Sequence, residues 1–431
     1  MINRRSILKS MGAVALATPV LSLPSIGRAQ GAAGRVVIVG GGFGGATAAK
    51  YIKRANPNID VTLIEASGRF YTCPFSNLYL GGLREFESIG HSFDELTDVY
   101  GVNLVTGWAE GVDGDAHTVT LASGDVIEYD KLLLSPGVDM RWGAIEGYDE
   151  AAAEIIPHAW KAGPQTQLLK SQLEAMDDGG TFILSSPPDP FRCPPGPYER
   201  VSMIANYFKN NKPNSKILLL DSKDAFSKQG LFQAGWDALY GDMIEWVSLS
   251  NDGEVIRVDP EAMEVETAFG EIHRGDVINI VPPQKAGAIA DAAGVTNEGG
   301  WVPIKPDTFE SQLVDDIYVV GDATVAAPMP KSGFSANAQG KVAAAAIVAS
   351  FAGEDVGTPS WANTCYSLIG PEYGISVAAV YRVEDGAITT LEGSGGVSPA
   401  DADEDFRRRE AIYAVGWYDA ITQDTWGSSP A

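Results

Sequence analysis

The apolar residues of this chain fall into short runs that alternate with stretches of helical periodicity. Runs at 35–39, 61–65 and 131–134 read as strands, the last closed by Ser135-Pro136-Gly137. Between the first two, residues 46–54 carry a helical pattern. A second strand–helix–strand unit follows, with strands at 181–184 and 217–220 and a helix at 198–210. Further apolar strands lie at 277–281 and 317–320, and 341–351 is an Ala/Val-rich helix. Beyond about 355 the chain mixes glycine, aromatics and strand-like segments, which reads as a smaller closing region. Strands alternating with helices predict an α/β fold with parallel sheets. No internal repeat stands out.

The 431 residues suffice for two to four domains at roughly 100–200 residues each. With 45% hydrophobic and 20% charged residues the chain is globular in type and needs no metal or disulfide lattice to build a core. Acidic residues outnumber basic ones by 56 to 31, a formal net charge of −25. That balance excludes general nucleic-acid binding, which needs a basic footprint, and disfavours anionic lipid. It suits a basic protein partner or a saline habitat. The histidines at 91, 117, 158 and 273 show no metal-ligand spacing, so no metal is expected.

At the N-terminus, Asn3-Arg4-Arg5-Ser6-Ile7-Leu8-Lys9 resembles a twin-arginine export signal. An apolar stretch at 11–23 follows, shorter than the roughly 20 residues that span a bilayer. Gly27-Arg28-Ala29 has the form of a cleavage site. Residues 1–29 are therefore read as a signal peptide, with a periplasmic destination and no membrane insertion. That route carries folded proteins, often with a cofactor already loaded.

Gly40-Gly41-Gly42-Phe43-Gly44-Gly45 places G-x-G-x-x-G at Gly40, Gly42 and Gly45, directly after a strand and at the opening of a helix. Glycines there permit a tight turn and let backbone amides approach a pyrophosphate at the helix N-terminus. Glu65, at the end of the next strand, is placed to accept hydrogen bonds from a ribose. A second apolar strand ends in Val320-Gly321-Asp322. It resembles the second FAD fingerprint of glutathione-reductase-like flavoproteins, in which the Asp binds the ribityl chain, so the cofactor expected is FAD. In that fold the second strand–helix–strand unit carries a glycine fingerprint for a nicotinamide nucleotide. Here the strand runs into the proline-rich loop 185–195, which holds no glycine. Proline offers no amide donor, so the loop cannot cradle a pyrophosphate and the second unit reads as a Rossmann domain that has lost its nucleotide.

The chain has three cysteines. Cys193 sits in the proline-rich loop, Cys365 lies in the closing region, and Cys73 stands in a loop placed to reach the flavin. Spacing alone leaves Cys193 and Cys365 open as a redox-active pair or a structural disulfide, and Cys73 as a functional or a buried inert thiol. The segments Tyr71-Thr72-Cys73-Pro74, Phe191-Arg192-Cys193-Pro194-Pro195-Gly196-Pro197-Tyr198-Glu199-Arg200, Pro330-Lys331-Ser332-Gly333-Phe334-Ser335-Ala336-Asn337 and Asn363-Thr364-Cys365-Tyr366 resemble the flavoprotein subunit of flavocytochrome c sulfide dehydrogenase. The likeness covers essentially the whole chain after the signal, with Pro74-Phe75 as the visible departure. It implies FAD held covalently by an 8α-S-thioether to Cys73, a catalytic Cys193–Cys365 disulfide, and a partner c-type cytochrome subunit. The chain has no C-x-x-C-H of its own, so any such haem sits on the partner.

Two Rossmann-like domains of glutathione-reductase type plus a C-terminal α+β domain are therefore expected. FAD binding is assigned to 34–150 and 276–354, the degenerate nucleotide domain to 151–275, and an interface domain to 355–431. Hydrosulfide would attack the disulfide, leaving a persulfide on one cysteine and a thiolate on the other, and two electrons would pass to FAD. Glu199, six residues after Cys193, would handle a proton or tune the thiol, and Lys331 would stabilise charge on reduced flavin. The alternatives are a sulfide:quinone oxidoreductase and a non-catalytic FAD electron-relay subunit. The first needs a membrane-docking segment, and 411–427 reads only weakly as one; the second would not need Cys193 and Cys365.

Overall fold

The computed structural model describes residues 34–427, so the signal peptide expected at 1–29 lies outside the described residues. The apolar runs of the first third become a parallel sheet. Its order is Ile317–Val319, Lys131–Leu134, Arg35–Val39, Asp60–Glu65, Asn103–Thr106. Its central strands are buried on both faces, which is why they read as continuous apolar runs. A second parallel sheet runs Val277–Ile280, Thr181–Ser186, Lys216–Asp221, Ile244–Val247. The C-terminal region is an antiparallel sheet of Ser360–Gly370, Tyr373–Glu384 and Ala387–Thr390, followed by the helix Glu404–Trp426. The fold is thus α/β with two Rossmann-type units and a C-terminal α+β region.

The two parallel units repeat one topology. Each runs strand, helix, strand, a third strand at the edge, a three-stranded antiparallel insert, and a fourth strand that returns beside the first. The inserts are Ala109–Asp113, Thr118–Leu121 and Val126–Glu128 in the first unit, and Val255–Asp259, Glu264–Thr267 and Ile272–Arg274 in the second. This repeat is absent from the sequence reading, because what recurs is the order of elements and not the residues. It also corrects a boundary. Val277–Ile280, expected to open the returning FAD segment, pairs with Phe182–Ser185 and closes the second sheet. The crossing back is marked by Gln284–Ala286, which pairs antiparallel with Val138–Met140.

The C-terminal helix starts on Asp403, whose carboxylate accepts the Phe406 amide at 2.8 Å. Its far end packs onto the glycine loop of the first unit. Trp426 is 1% exposed, donates its indole N–H to the Gly41 carbonyl at 3.0 Å, and stacks on His91 and Phe70. Asp424 binds Asn337 and Lys341 of the helix Gly333–Ala352. Ile421 and Trp426 therefore serve the core, while Ile412, Tyr413 and Val415 face outward. Among the described residues no helix is long and apolar enough to cross a membrane.

Trp426→Ala should destabilise the fold by about 3–5 kcal/mol in chemical denaturation, the usual cost of truncating a fully buried Trp. Ile412→Ala, on the same helix but 62% exposed, should change stability by less than about 0.5 kcal/mol.

Candidate functional site

The loop after Arg35–Val39 is shaped for a ligand. Gly40 has φ 97°, and a Cβ there would run into the Ser135 carbonyl; a Cβ on Gly45 would strike the Gly40 carbonyl. Gly42 by contrast meets only the Phe70 ring. The helix Phe43–Ala55 opens at this loop and aims its N-terminus into a cavity of about 1040 Å³. Glu65 lines the same cavity, and its carboxylate accepts the Gly41 amide at 2.6 Å. Burial pushes its pKa up while backbone hydrogen bonds, from Gly41 above all, pull it down. At the other end stands Asp322, mostly buried, with Oδ1 lacking any hydrogen-bond partner. Arg192 Nε, 3.8 Å from the other oxygen of that carboxylate, lacks one too. Unpaired buried polar groups are costly, so two on one cavity wall mark where a polar ligand belongs. A long cavity with a glycine cradle, a ribose-facing acid and a second acid at the far end fits FAD.

The second unit offers no such place. Asp221 ends the second strand of its sheet, the position Glu65 holds in the first. It is fully buried and its carboxylate is consumed: Lys223 at 2.6 Å, Tyr198 at 2.7 Å and Trp246 at 3.0 Å. Phe226 stacks on Tyr198 with ring centres 3.6 Å apart and meets Trp246 edge-on. Aromatic side chains and a lysine fill the space beside the acid.

The three cysteines, from three distant segments, are free thiols, and Cys193 lies within electrostatic reach of both Cys365 and Cys73. Cys73 lines the cavity, its sulfur 3.2 Å from the Trp160 carbonyl. Cys193 holds a left-handed conformation, φ 59°, which costs a non-glycine residue about 1–3 kcal/mol. Its amide donates to the Lys331 carbonyl at 2.8 Å, and its own carbonyl accepts the Gly196 amide at 2.7 Å, so the strain is held from both sides. Cys365 approaches from the strand Ser360–Gly370. The two sulfurs lie within electrostatic reach of each other and of Glu199. Burial pushes both thiols above their usual range, so the site favours neutral sulfur over thiolate.

Glu199 is fixed and is no solvated helix carboxylate. Asn77 Nδ2 and the Leu368 amide each donate to it at 2.9 Å, and enclosure raises its pKa against those bonds. Lys331 departs from expectation: it does not line the cavity. Its ammonium donates to the carbonyls of Asp322 and Thr324, both at 2.7 Å, and lies 3.9 Å from the centre of the Trp301 ring. Burial lowers its pKa to about 8. It braces the Asp322 turn and, through its carbonyl, the Cys193 loop.

Two cations at the site went unread in the sequence. Arg200 is buried and donates to Asn77, His158, Ala159 and Asn279, all neutral acceptors, at 2.7–3.2 Å. Lys228 is buried with φ 63°, donates to Ser367 Oγ at 2.8 Å, and among the described residues has no carboxylate within ion-pair distance. Its charge counters the effect of burial on both Cys193 and Cys365. Positive φ on a buried lysine was the structural sign; nothing in its sequence neighbourhood pairs it with the cysteines. Among the described residues no cluster could hold a metal ion.

Residues 166–282 match the central region of the flavoprotein chain of flavocytochrome c sulfide dehydrogenase, and 357–426 match its flavin-binding region. Residues 34–170 match the pyridine nucleotide-disulphide oxidoreductases. The sulfide dehydrogenase flavoprotein chain of Chlorobaculum thiosulfatiphilum is 63% identical over 43 residues, 10% of this chain and 90% of that sequence. Over both regions the chain is similar to the flavoprotein chain of flavocytochrome c sulfide dehydrogenase. It is an FAD-binding oxidoreductase acting on sulfide. The sulfide-quinone reductase of Aquifex aeolicus is 26% identical over 312 residues, covering 69% of this chain and 70% of that one. The solved structure of the Aquifex aeolicus sulfide:quinone oxidoreductase superposes with a TM-score of 0.71 at 20% identity, covering 92% and 93% of the two chains, which shows a common fold.

Lys228→Met removes the cation that favours the charged form of both thiols. The pH at which the reduced Cys193/Cys365 pair reacts with iodoacetamide should therefore rise by about one unit. Mass mapping of the alkylated peptides across a pH series gives the reading.

Proposed function

We propose that this flavoprotein oxidises hydrosulfide through a Cys193–Cys365 disulfide and passes the electrons to a c-type cytochrome subunit in the periplasm. Its FAD is attached through an 8α-S-thioether to Cys73, and twin-arginine export delivers the loaded protein. The observation that carries the reading is the convergence of Cys193, Cys365, Glu199 and Lys228 in one buried site beside the FAD cavity. Neither a structural disulfide nor an FAD relay accounts for a buried lysine that, among the described residues, makes no ion pair and acts electrostatically on both sulfurs and on Glu199.

Hydrosulfide is an anionic sulfur nucleophile. Lys228 attracts it and stabilises the thiolate that leaves when one disulfide sulfur is attacked. One cysteine then carries a persulfide and the other a thiolate. Glu199, held by Asn77 and the Leu368 amide, is positioned to take the proton that hydrosulfide releases, and its raised pKa suits that task. FAD, when bound, accepts the electron pair and releases electrons singly. A second hydrosulfide attacks the outer persulfide sulfur and leaves with it as a two-sulfur chain, and the two electrons then held by the Cys193/Cys365 thiol pair are those that FAD would accept as the disulfide re-forms. The left-handed Cys193 backbone, pinned to Lys331, keeps its sulfur from drifting between the two bonding states.

Anaerobic mixing with sulfide should bleach the flavin of the wild type. Cys193→Ser and Cys365→Ser should each lower that rate at least about a thousandfold, because a lone thiol offers no electrophilic sulfur, while retaining FAD. Full reduction in either variant would sink the disulfide mechanism. Purified from its native source, the protein should carry a haem-bearing partner that sulfide reduces. Reduction of a soluble quinone at a higher rate than any cytochrome would favour the quinone-reducing reading instead.

NADH and NADPH should leave the flavin oxidised over the same period, since Asp221 and its surroundings are occupied by Lys223, Tyr198 and Phe226. Rapid bleaching by either nucleotide, followed by absorbance, would show that the second unit still binds one.

A further inference from the structure

Cys73 and Arg192 share an acceptor. The Cys73 sulfur and Arg192 Nη2 each lie 3.2 Å from the carbonyl oxygen of Trp160, which brings the guanidinium alongside the sulfur. The arginine is held firmly there. Its backbone amide donates to Gln284 Oε1 at 2.9 Å, and the Trp160 indole donates to its carbonyl at 3.2 Å. Its nearest carboxylate is Asp322, an ion-pair partner at 3.8 Å that lies beyond hydrogen-bond distance, and Arg192 Nε has no hydrogen-bond partner. Two further cations line the cavity, and Lys161 is paired with Asp139 and Arg69 with Glu87. Cys73, Arg192 and Asp322 all line the FAD cavity.

A thiol becomes a nucleophile only as its thiolate, and an adjacent arginine is among the few groups that sustain a thiolate in a partly buried place. We infer that Arg192 is the activating charge for the protein's own attachment of FAD: it stabilises the negative charge that develops on the Cys73 sulfur as it gives up its proton and bonds to the flavin 8α carbon. The inference rests on the covalent reading of Cys73. In this reaction one carbon–sulfur bond forms, and one S–H and one C–H bond break, the latter at the 8α methyl. The electron pair and two protons pass to FAD, which is the oxidant, and the enzyme's electron acceptor or dioxygen then restores it. No separate ligase is required. Asp322 pairs with the Nε side of the guanidinium at 3.8 Å, while Nη2 is the end turned to the Trp160 carbonyl that the sulfur also meets.

The test uses the full chain expressed without the leader, reconstituted with FAD, then denatured in detergent and scored for flavin fluorescence on the polypeptide. Wild type should become covalently labelled. At FAD concentrations that saturate it in filtration assays, Arg192→Met should acquire the covalent label at least about tenfold more slowly, and Arg192→Lys should recover part of the rate. On the FAD-free protein, iodoacetamide should modify Cys73 about tenfold more slowly in Arg192→Met than in wild type, by peptide mass mapping. That second measurement stands even if the Met variant binds FAD poorly. Equal labelling and equal Cys73 alkylation in wild type and Arg192→Met would overturn the role of Arg192. A wild type that sheds all its FAD on denaturation would instead overturn the covalent reading on which it rests.

Discussion

One buried guanidinium ties the site together. Arg200 is 2% exposed and carries its charge into the junction of the chain's segments, where among the described residues no carboxylate comes within ion-pair distance of it. Burial lowers its pKa to about 10, still well above neutrality. It must therefore be satisfied by dipoles, and these come from three different places. Asn77 lies in the short helix after Cys73, His158 and Ala159 in the crossover from the first unit, and Asn279 in the last strand of the second sheet. The ring of Trp160, whose carbonyl meets Cys73, lies beneath the guanidinium. Arg200 follows Glu199 on the helix that Cys193 precedes. Desolvating one charge thus obliges four stretches of chain to converge, and the cysteines converge with them.

The repeated topology then explains a difference in use. Both units place an acid at the end of the second strand and a helix after the first. In the first, glycines keep the approach open and Glu65 faces a cavity. In the second, prolines rigidify the loop and Asp221 is sealed by a lysine and two aromatic donors. The freed helix N-terminus carries Cys193 and Glu199 in place of a phosphate cradle. A nucleotide site has become a thiol site with no change of architecture.

Much of this was legible in the residues. Gly40, Gly45, Glu65 and Asp322 announce a dinucleotide site because backbone clearance and ribose contact demand those residue types at those intervals. The apolar runs marked the strands because parallel sheets bury both faces. The structural repeat escaped, since topology leaves no periodicity in sequence. So did the pairing of Val277–Ile280, because an apolar run does not name its neighbour. Lys228 and Arg200 were invisible for the same reason: their partners lie 139 residues away at Ser367 and 123 residues away at Asn77. Lys331 was placed near the flavin by its sequence position, yet its ammonium found two carbonyls and an indole ring closer at hand.

The account stands on sulfur bonding to one of two cysteines. After anaerobic mixing with one equivalent of sulfide and rapid quenching with an alkylating agent, mass spectrometry of the peptides reads where that sulfur goes. One added sulfur atom on the Cys193 or the Cys365 peptide, and none on the Cys73 peptide, is the predicted result. A flavin fully reduced by sulfide with no sulfur added to either of those two peptides would contradict it.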